Sequence, residues 1–378
     1  MRVPVTVRLE PETPWCISRH RERNVGETLD EVPGSTLRGA LAAAWIRVRG
    51  MPDEAFDRVF QSGRNRFPFC YPGTGFPRPA PVTTRTCKSH RGPRPTGHGI
   101  VDGALALLGL ADRAAPDSCS AEGCHERLVR WGRLVTEENG RVLAPRHELR
   151  MHAGIHRATG SVRPGVLYGT TVALPWARVE GSPREWERVV LEGTGFFAPE
   201  DLEQLRGVLR EIDGTILVGR SCSVGLGVMK VRLEEGDGDR TSGLRRRFEA
   251  WIEKAPRRLR ENGIPVALVL VSPAILRREG RWSFDPVEFL REPLGLDGGA
   301  RALVQRVPVF GWDMKEGRPR PTEWAVAAGS VVVGRSRLGQ EELLDRVGWL
   351  EEEGLGARVE EGFGRVHAWD PLLLGDVQ

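Results

Sequence analysis

Residues 219–227 read GRSCSVGLG, and this stretch restricts the fold more than any other. It lies between a predicted helix and a predicted strand. Three glycines and two serines leave its backbone bare. Glycine adopts conformations closed to other residues, so such a loop can bring several N–H groups close to a phosphate or an extended RNA backbone. A shorter relative, EGFGRV, recurs at 361–366, again after a helical pattern and before a strand. The chain therefore reads as two versions of one module, each closed by a glycine-rich loop.

The pattern along the chain supports that division. Val3, Val5, Val7 and Leu9 alternate with polar residues, the mark of a half-buried strand. A basic loop containing His20 follows. PGSTLRGAL at 33–41 opens a helix with Ser35 as N-cap and Leu37, Leu41 and Trp45 on one face. Arg38 falls in the first turn, which opposes the helix dipole unless an anion docks there; a plain surface arginine is the other account. From 62 to 100 Pro, Gly, Arg and aromatics alternate without period, so an irregular insertion is expected, too long to stand without a staple. A strand is expected at 165–174, and 185–192 and 195–198 continue as strand or hairpin. A helix follows at 199–212, with Leu202, Leu205, Val208, Leu209 and Ile212 as its core stripe. The loop and a strand at 228–233 complete a β-α-(insertion)-β-β-α-β order, which is ferredoxin-like.

The second half repeats the architecture more than the residues. It has an apolar strand at 264–275, a hairpin pair at 301–312 and 324–334, and a helix at 340–353 with Leu343, Leu344, Val347 and Leu350 inward. Its first helix is weak. The expected fold class is α+β: two tandem ferredoxin-like (RRM-like) modules at 1–235 and 264–378, with an irregular, zinc-stapled insertion at about 62–164 in the first. A basic linker helix fills 236–263, and its arginines face either a polyanion or solvent. The apolar tail at 371–374 suggests a docking surface.

Cysteine usage bears on the staple. Six cysteines in 378 residues are too scattered for a disulfide scaffold. Cys87-x2-His90 and Cys119-x4-Cys124 instead form two ligand pairs suited to one tetrahedral zinc ion. His98, His125 and Cys70 compete for the fourth place, and buried free thiols are the alternative. Four protein ligands leave no open position, so the role is structural. Cys16 and Cys222 lie elsewhere. No run reaches the roughly 18 apolar residues of a membrane span, and MRVPVTVRLEP lacks a signal-peptide core. A cytoplasmic protein with no membrane partner is expected. The net charge is +4, carried by 51 arginines against four lysines. A GC-rich genome accounts for that bias, as does a need for bidentate phosphate contacts.

PGSTLRGAL after the first strand, GRSCSVGLGVMKV closing the first module and EGFGRVHAW closing the second resemble the RAMP superfamily of CRISPR-associated proteins. PAPVTTRTCK, GHGIVDGAL and ELRMHAGIHRATGSVRPGVLYG sharpen the likeness to the two-module RAMP subunit of type III-D effector complexes (the Csx-ten family). The resemblance spans nearly the whole chain. It implies RRM-like modules without the base-stacking aromatic pair of an ordinary RRM. It also implies a subunit that holds the 5′ handle of the crRNA and docks the large polymerase-type subunit beside backbone RAMP subunits. Carried over, Arg38, Arg220, Ser221, Gly225 and Gly227 line a first RNA surface, and Gly362, Gly364 and Arg365 a second. Amides and arginines hold a single-stranded backbone without reading its sequence, which suits a constant tag.

Processing endonucleases of the same superfamily use a histidine base without metal. His20 or His152 could serve so here, since a base near neutral pKa deprotonates a 2′-hydroxyl. His147 and His156 cluster with His152. Target-cutting subunits use a loop aspartate; Asp30 lies in a suitable region, but GETLDEVPG is equally a plain turn. The resemblance points to a non-catalytic RNA-binding subunit. A metal-independent endoribonuclease and an assembly adaptor without RNA contact are the alternatives.

Overall fold

The computed structural model describes residues 2–375 apart from 23–24, 95–96, 113, 115, 138–139, 179–184, 237–239, 262 and 314–315. It is a mixed α+β protein whose contacts fall into two compact units. One comprises Met1–Pro77 with Thr136–Gly236, the other Arg78–Val135 with Asp237–Gln378.

The first unit is built on an antiparallel sheet. Val3–Pro11 runs between Leu191–Phe197 and Val228–Glu235, and Tyr71–Thr74 lies outside Leu191–Phe197. The helices Gly34–Arg49 and Pro199–Glu211 pack together over this sheet. Val5, Val7 and Leu9 are buried, as their alternation requires. Leu37, Leu41 and Trp45 meet Leu202, Leu205 and Val208 in one core. Trp45, Phe60, Phe67 and Phe197 extend it as a run of stacked and edge-on rings. The first helix begins at Gly34 with Pro33 as N-cap and no side-chain cap, so Ser35 sits inside the first turn instead of capping it.

The expected irregularity of 62–164 is corrected at several places. Tyr71–Thr74 is a strand of the main sheet. Pro145–Ile155 pairs along its length with Val162–Arg178 to form a long antiparallel ribbon. Most of its residues are exposed, yet Leu149, Met151, Ala153 and Ile155 alternate with Glu148, Arg150 and His152, the period of a strand.

The second unit has a four-stranded antiparallel sheet in the order Arg301–Leu303, Val331–Ser336, Ile264–Leu270, Val366–Ala368. Val266–Leu270 and Val331–Val333 are buried on both faces of the sheet. The basic stretch expected as a linker is the helix Arg240–Lys254, followed after Pro256 by a short turn, Arg257–Arg260. Its Leu244, Phe248 and Trp251 belong to the second core. Arg245 pairs with Glu341, and Arg247 with Glu351 at 2.5 Å, both on Gln340–Glu353. This part of its positive charge is met by the neighbouring helix.

Residues 78–135 group with this second core, not with the first module. Ile100–Asp102 is a strand, followed by the one-turn helix Ala104–Leu107, started by Asp102 accepting from the Ala104 N–H at 2.8 Å. Ala104, Leu105 and Leu108 pack with Phe248, Trp251 and Trp369. Arg78 and Asp370, 3% and 0% exposed, form an ion pair at 2.9 Å. The tail Pro371–Leu374 is no docking surface: Leu372 is buried with Ala80, Ile100 and Val135. Among the described residues no helix is long and apolar enough to cross a membrane.

Candidate nucleic-acid interface and metal centre

The two glycine-rich loops are the same structure built twice. In the first, Gly219 (φ 90°) leads to Ser221 in the left-handed region, a 3-10 turn Cys222–Val224, Gly225 (φ 87°) and Gly227 (φ 75°). In the second, Gly356 (φ 93°) leads to left-handed Arg358, the turn Val359–Glu361, Gly362 (φ 81°) and Gly364 (φ 72°). The hydrogen bonds correspond as well. Val218 N–H donates to Gly227 O and Leu355 N–H to Gly364 O, both at 2.8 Å. Gly227 and Gly364 donate to the carbonyls of Pro14 and Pro273, also at 2.8 Å. Arg220 and Ala357 donate to Cys16 and Ile275. The shared spacing is Gly-x5-Gly-x-Gly, which the shorter EGFGRV match cuts off before Gly356 and Arg358.

Close approach explains two glycines of each loop. A Cβ on Gly227 would stand 2.0 Å from Val218 O, and one on Gly364 would stand 1.9 Å from Leu355 O. Gly219 and Gly356 would meet the carbonyls of Cys16 and Ile275 at 2.4 Å. Gly225 differs, since a Cβ there meets nothing within 4 Å. These glycines let each loop close on the segment that follows the opening strand of its unit, and several loop amides donate within the protein instead of pointing outward.

The loops differ in what they present. Gly219, Arg220, Ser221, Ser223, Val224 and Gly225 are exposed, while Gly227 is buried. Arg220 donates to Ser18 Oγ at 2.8 Å, which holds its guanidinium beside the loop. In the second loop Gly362 and Gly364 are buried and Arg365 is half-buried, donating to Glu352 O at 3.0 Å. Arg358 lies over the Phe363 ring at 4.7 Å and donates to Glu361 at 2.8 Å and Glu323 at 2.5 Å. Arg320 adds a contact to Glu361 at 3.3 Å. The first loop is thus open and basic, the second closed over a buried carboxylate. Arg38 reaches the Phe60 carbonyl at 2.9 Å, at the C-terminal end of Glu54–Phe60. The negative end of that helix replaces the anion expected at the start of its own.

The histidines are dispersed. His20 lies on Ser18–Glu22, and its side chain is outside the described residues. His152 stacks on Tyr168 across the ribbon, centroids 4.9 Å apart and 17° between planes. His147 Nε2 is 2.6 Å from Asp30 Oδ1, so the candidate aspartate has a histidine partner. His156 sits at the exposed end of the ribbon.

The cysteine–histidine cluster converges around a three-stranded sheet of Thr84–Cys87, Ile100–Asp102 and Leu128–Arg130. Ligand atoms of Cys87, His90, His98 and Cys124 all lie within 4.8 Å of one another. Cys87 and Cys124 sulfurs are 3.8 Å apart, the separation of two thiolates at about 2.3 Å from a tetrahedral zinc ion. The His90 N–H donates to the Cys87 sulfur at 3.4 Å, and the two imidazoles stack at 4.2 Å. Burial opposes ionisation of Cys87, yet the His90 and Ser89 amides and the neighbouring thiols bring it below its ordinary value. Cys119 lies 3.5 Å from His98 Nδ1, at the margin of this group, and His98 completes the four. Of the other competitors, His125 is exposed outside the group. Cys70 is buried in the first core, where desolvation pushes its thiol well up. The cluster could hold a metal ion, with soft thiolate and imidazole donors in a closed arrangement.

Comparison with known proteins brings these features together. Residues 8–230 match the family model described as the RAMP superfamily, and residues 233–368 match that of a CRISPR-associated protein (Cas_Cmr3). No curated protein matches the sequence. One similar solved chain belongs to a Type III-B Cmr-beta assembly bound to cognate target RNA and AMPPnP. It has 14% identity, covers 91% of this chain and 93% of its own, and gives a TM-score of 0.42. A second, from Cmr-beta bound to cognate target RNA, has 12% identity, coverage of 99% and 98%, and a TM-score of 0.44. The first family model takes in the end of the opening strand, the helices Gly34–Arg49 and Pro199–Glu211 and the first glycine-rich loop, more than half of all residues; the chain belongs to the RAMP superfamily.

Proposed function

We propose that this protein is a crRNA-binding structural subunit of a type III CRISPR effector complex. It holds the 5′ handle of the crRNA and docks the large polymerase-type subunit beside backbone RAMP subunits. The observation that carries this reading is the duplicated glycine-rich loop in a RAMP chain whose second half matches a CRISPR-associated family model. The exposed loop with Arg220 and Ser221 is the primary RNA contact, and Gly225 leaves room for a backbone to approach. The buried second loop acts mainly through its fold, with Arg365 at its edge. We read the two sheets as tandem ferredoxin-like modules. In support, each places its opening strand between the third and the last, with the second outside the third. The cytoplasm is the compartment in which such a complex meets RNA.

The cluster at Cys87, His90, His98 and Cys124 is a structural zinc site in this proposal, with Cys119 beside it. When bound, the ion supplies a cross-link between the turn after Thr84–Cys87 and the 119–124 loop, and no catalysis.

The test is incubation of the purified chain with radiolabelled repeat–spacer RNA in EDTA, scored for retention and cleavage. Retention without cleavage, weakened about tenfold in Arg220→Ala, supports the handle-binding subunit. A single defined cut would make His152 or His20 a general base and the chain a processing ribonuclease. Neither retention nor cleavage would leave an adaptor.

A further inference from the structure

The first unit carries a second basic and aromatic surface, on residues the glycine-rich loops do not use. Three strands meet there: Pro145–Ile155, Val162–Arg178 and Trp186–Arg188. Their register sets Trp176 opposite Arg188 and Arg178 opposite Trp186. Side chains alternate across a sheet, so Ala177, between these pairs, points the other way. Ala177 and Val189 are buried in the first core, and Glu187, opposite Ala177, pairs with Arg141 at 2.6 Å. The outer face therefore carries Trp176, Arg178, Trp186 and Arg188, and Arg146 joins them from the neighbouring strand.

The five side chains form a ladder. The Arg188 guanidinium lies over Trp176 at 4.9 Å, and those of Arg178 and Arg146 lie over Trp186 at 5.3 and 5.7 Å. Both indoles are nonetheless 41% exposed. Among the described residues none of the three arginines makes an ion pair. An indole beneath a guanidinium holds it flat and lowers the entropy lost when it meets a ligand. The face thus offers ordered cations and planar surfaces together.

We propose that this ladder binds single-stranded RNA independently of sequence, with bases stacked on the indoles and guanidiniums and phosphates paired to Arg146, Arg178 and Arg188. Unstacked bases use such planes, which a duplex hides. An acidic polypeptide would satisfy the charges but leave the planar surfaces unused. The inference rests on the reading that this chain holds RNA, and adds a site that would take any unpaired strand, not the handle alone.

The experiment is fluorescence anisotropy on the full chain with a labelled 15-nucleotide oligouridylate, followed by ultraviolet cross-linking and peptide mapping. The R146Q/R178Q/R188Q variant is expected to lose about tenfold in affinity, and cross-links should fall on Trp176 or Trp186. Trp176→Phe keeps a flat face and should retain most of the affinity that Trp176→Ala loses. Absence of oligouridylate binding, unchanged affinity in the triple variant, or cross-links confined to other peptides overturns the ladder. So does polyglutamate binding that the triple variant abolishes while oligouridylate binding persists. Arg220→Ala is measured in parallel on repeat-derived RNA. If it is silent while the triple variant weakens oligouridylate, only the handle reading fails; the reverse result fails only the ladder.

Discussion

Gly227 and Gly225 are two residues apart in one loop, both with positive φ, yet they answer to different constraints. Gly225 has open space where a Cβ would stand, so Gly225→Ala meets only the left-handed backbone penalty, about 1–2 kcal/mol. Gly227→Ala adds a clash with the Val218 carbonyl and should cost at least about 2 kcal/mol more. Urea denaturation of the two variants checks the ordering, and equal losses would show that the loop relaxes away from Val218. His367 poses a different residue-scale problem. Burial, then Arg247, Arg78 and Arg365, hold its pKa well below the ordinary value, although Glu351 stands 3.8 Å from Nδ1. It is therefore neutral in the fold and protonates when the chain unfolds below about pH 6.5. Its contribution to stability is present above that pH and is lost as pH falls through it, by up to about 1.4 kcal/mol per pH unit. His367→Gln should flatten the stability profile between pH 7 and 5 by close to one proton. Superimposable slopes would mean that folding leaves the proton affinity of the imidazole unchanged.

At the scale of elements, the cysteine–histidine segment makes the sharpest prediction. Chelation should lower the melting temperature of a protein that carries about one zinc equivalent as isolated, because a structural ion's binding energy is folding energy. His98→Ala should weaken metal retention and His125→Ala should not, since only His98 lies in the four-atom group. Metal-free protein with unchanged melting would dismiss the site. The segment also shows how far residues alone could lead. The knuckle spacings put Cys87, His90 and Cys124 near one another with Cys119, but a turn in which the His98 N–H donates to His90 O brings in His98, until then one competitor among three. The main strands and Gln340–Glu353 were legible because their apolar residues follow the period of the element. The ribbon strand Pro145–Ile155 alternates as well, at Leu149, Met151, Ala153 and Ile155, but it lies inside the span read as an irregular insertion. The loop repeat was half legible. Gly362 and Gly364 stand out, whereas the match of Arg358 to Ser221 lies in backbone angles that serine and arginine share without resembling each other.

For the molecule as a whole, the partition of 78–135 matters most, since sequence order suggested an insertion of the first module. Its membership of the second unit rests on a buried charge pair as well as on apolar packing. Arg78 donates to Asp370 with neither side chain open to solvent, and Asp370 O also accepts from the Trp251 indole N–H at 3.1 Å. Ala104 and Leu105 fill the same core as Trp251. Removing one member of such a pair strands the other in a medium of low polarity, so Asp370→Ala should destabilise the second unit by about 3–5 kcal/mol. Asp370→Asn keeps hydrogen-bonding capacity without the charge and should fall between Asp370→Ala and the native chain. Hydrogen exchange separates this from a general loss of stability. In Asp370→Ala, protection should fall together in 84–102 and 366–374, which share the core, while the amides of Val3–Pro11 and Pro199–Glu211 keep theirs. If 84–102 stayed protected as 366–374 opened, the inserted segment would be a folding unit of its own, held by its metal cluster, and the ion pair only a local contact.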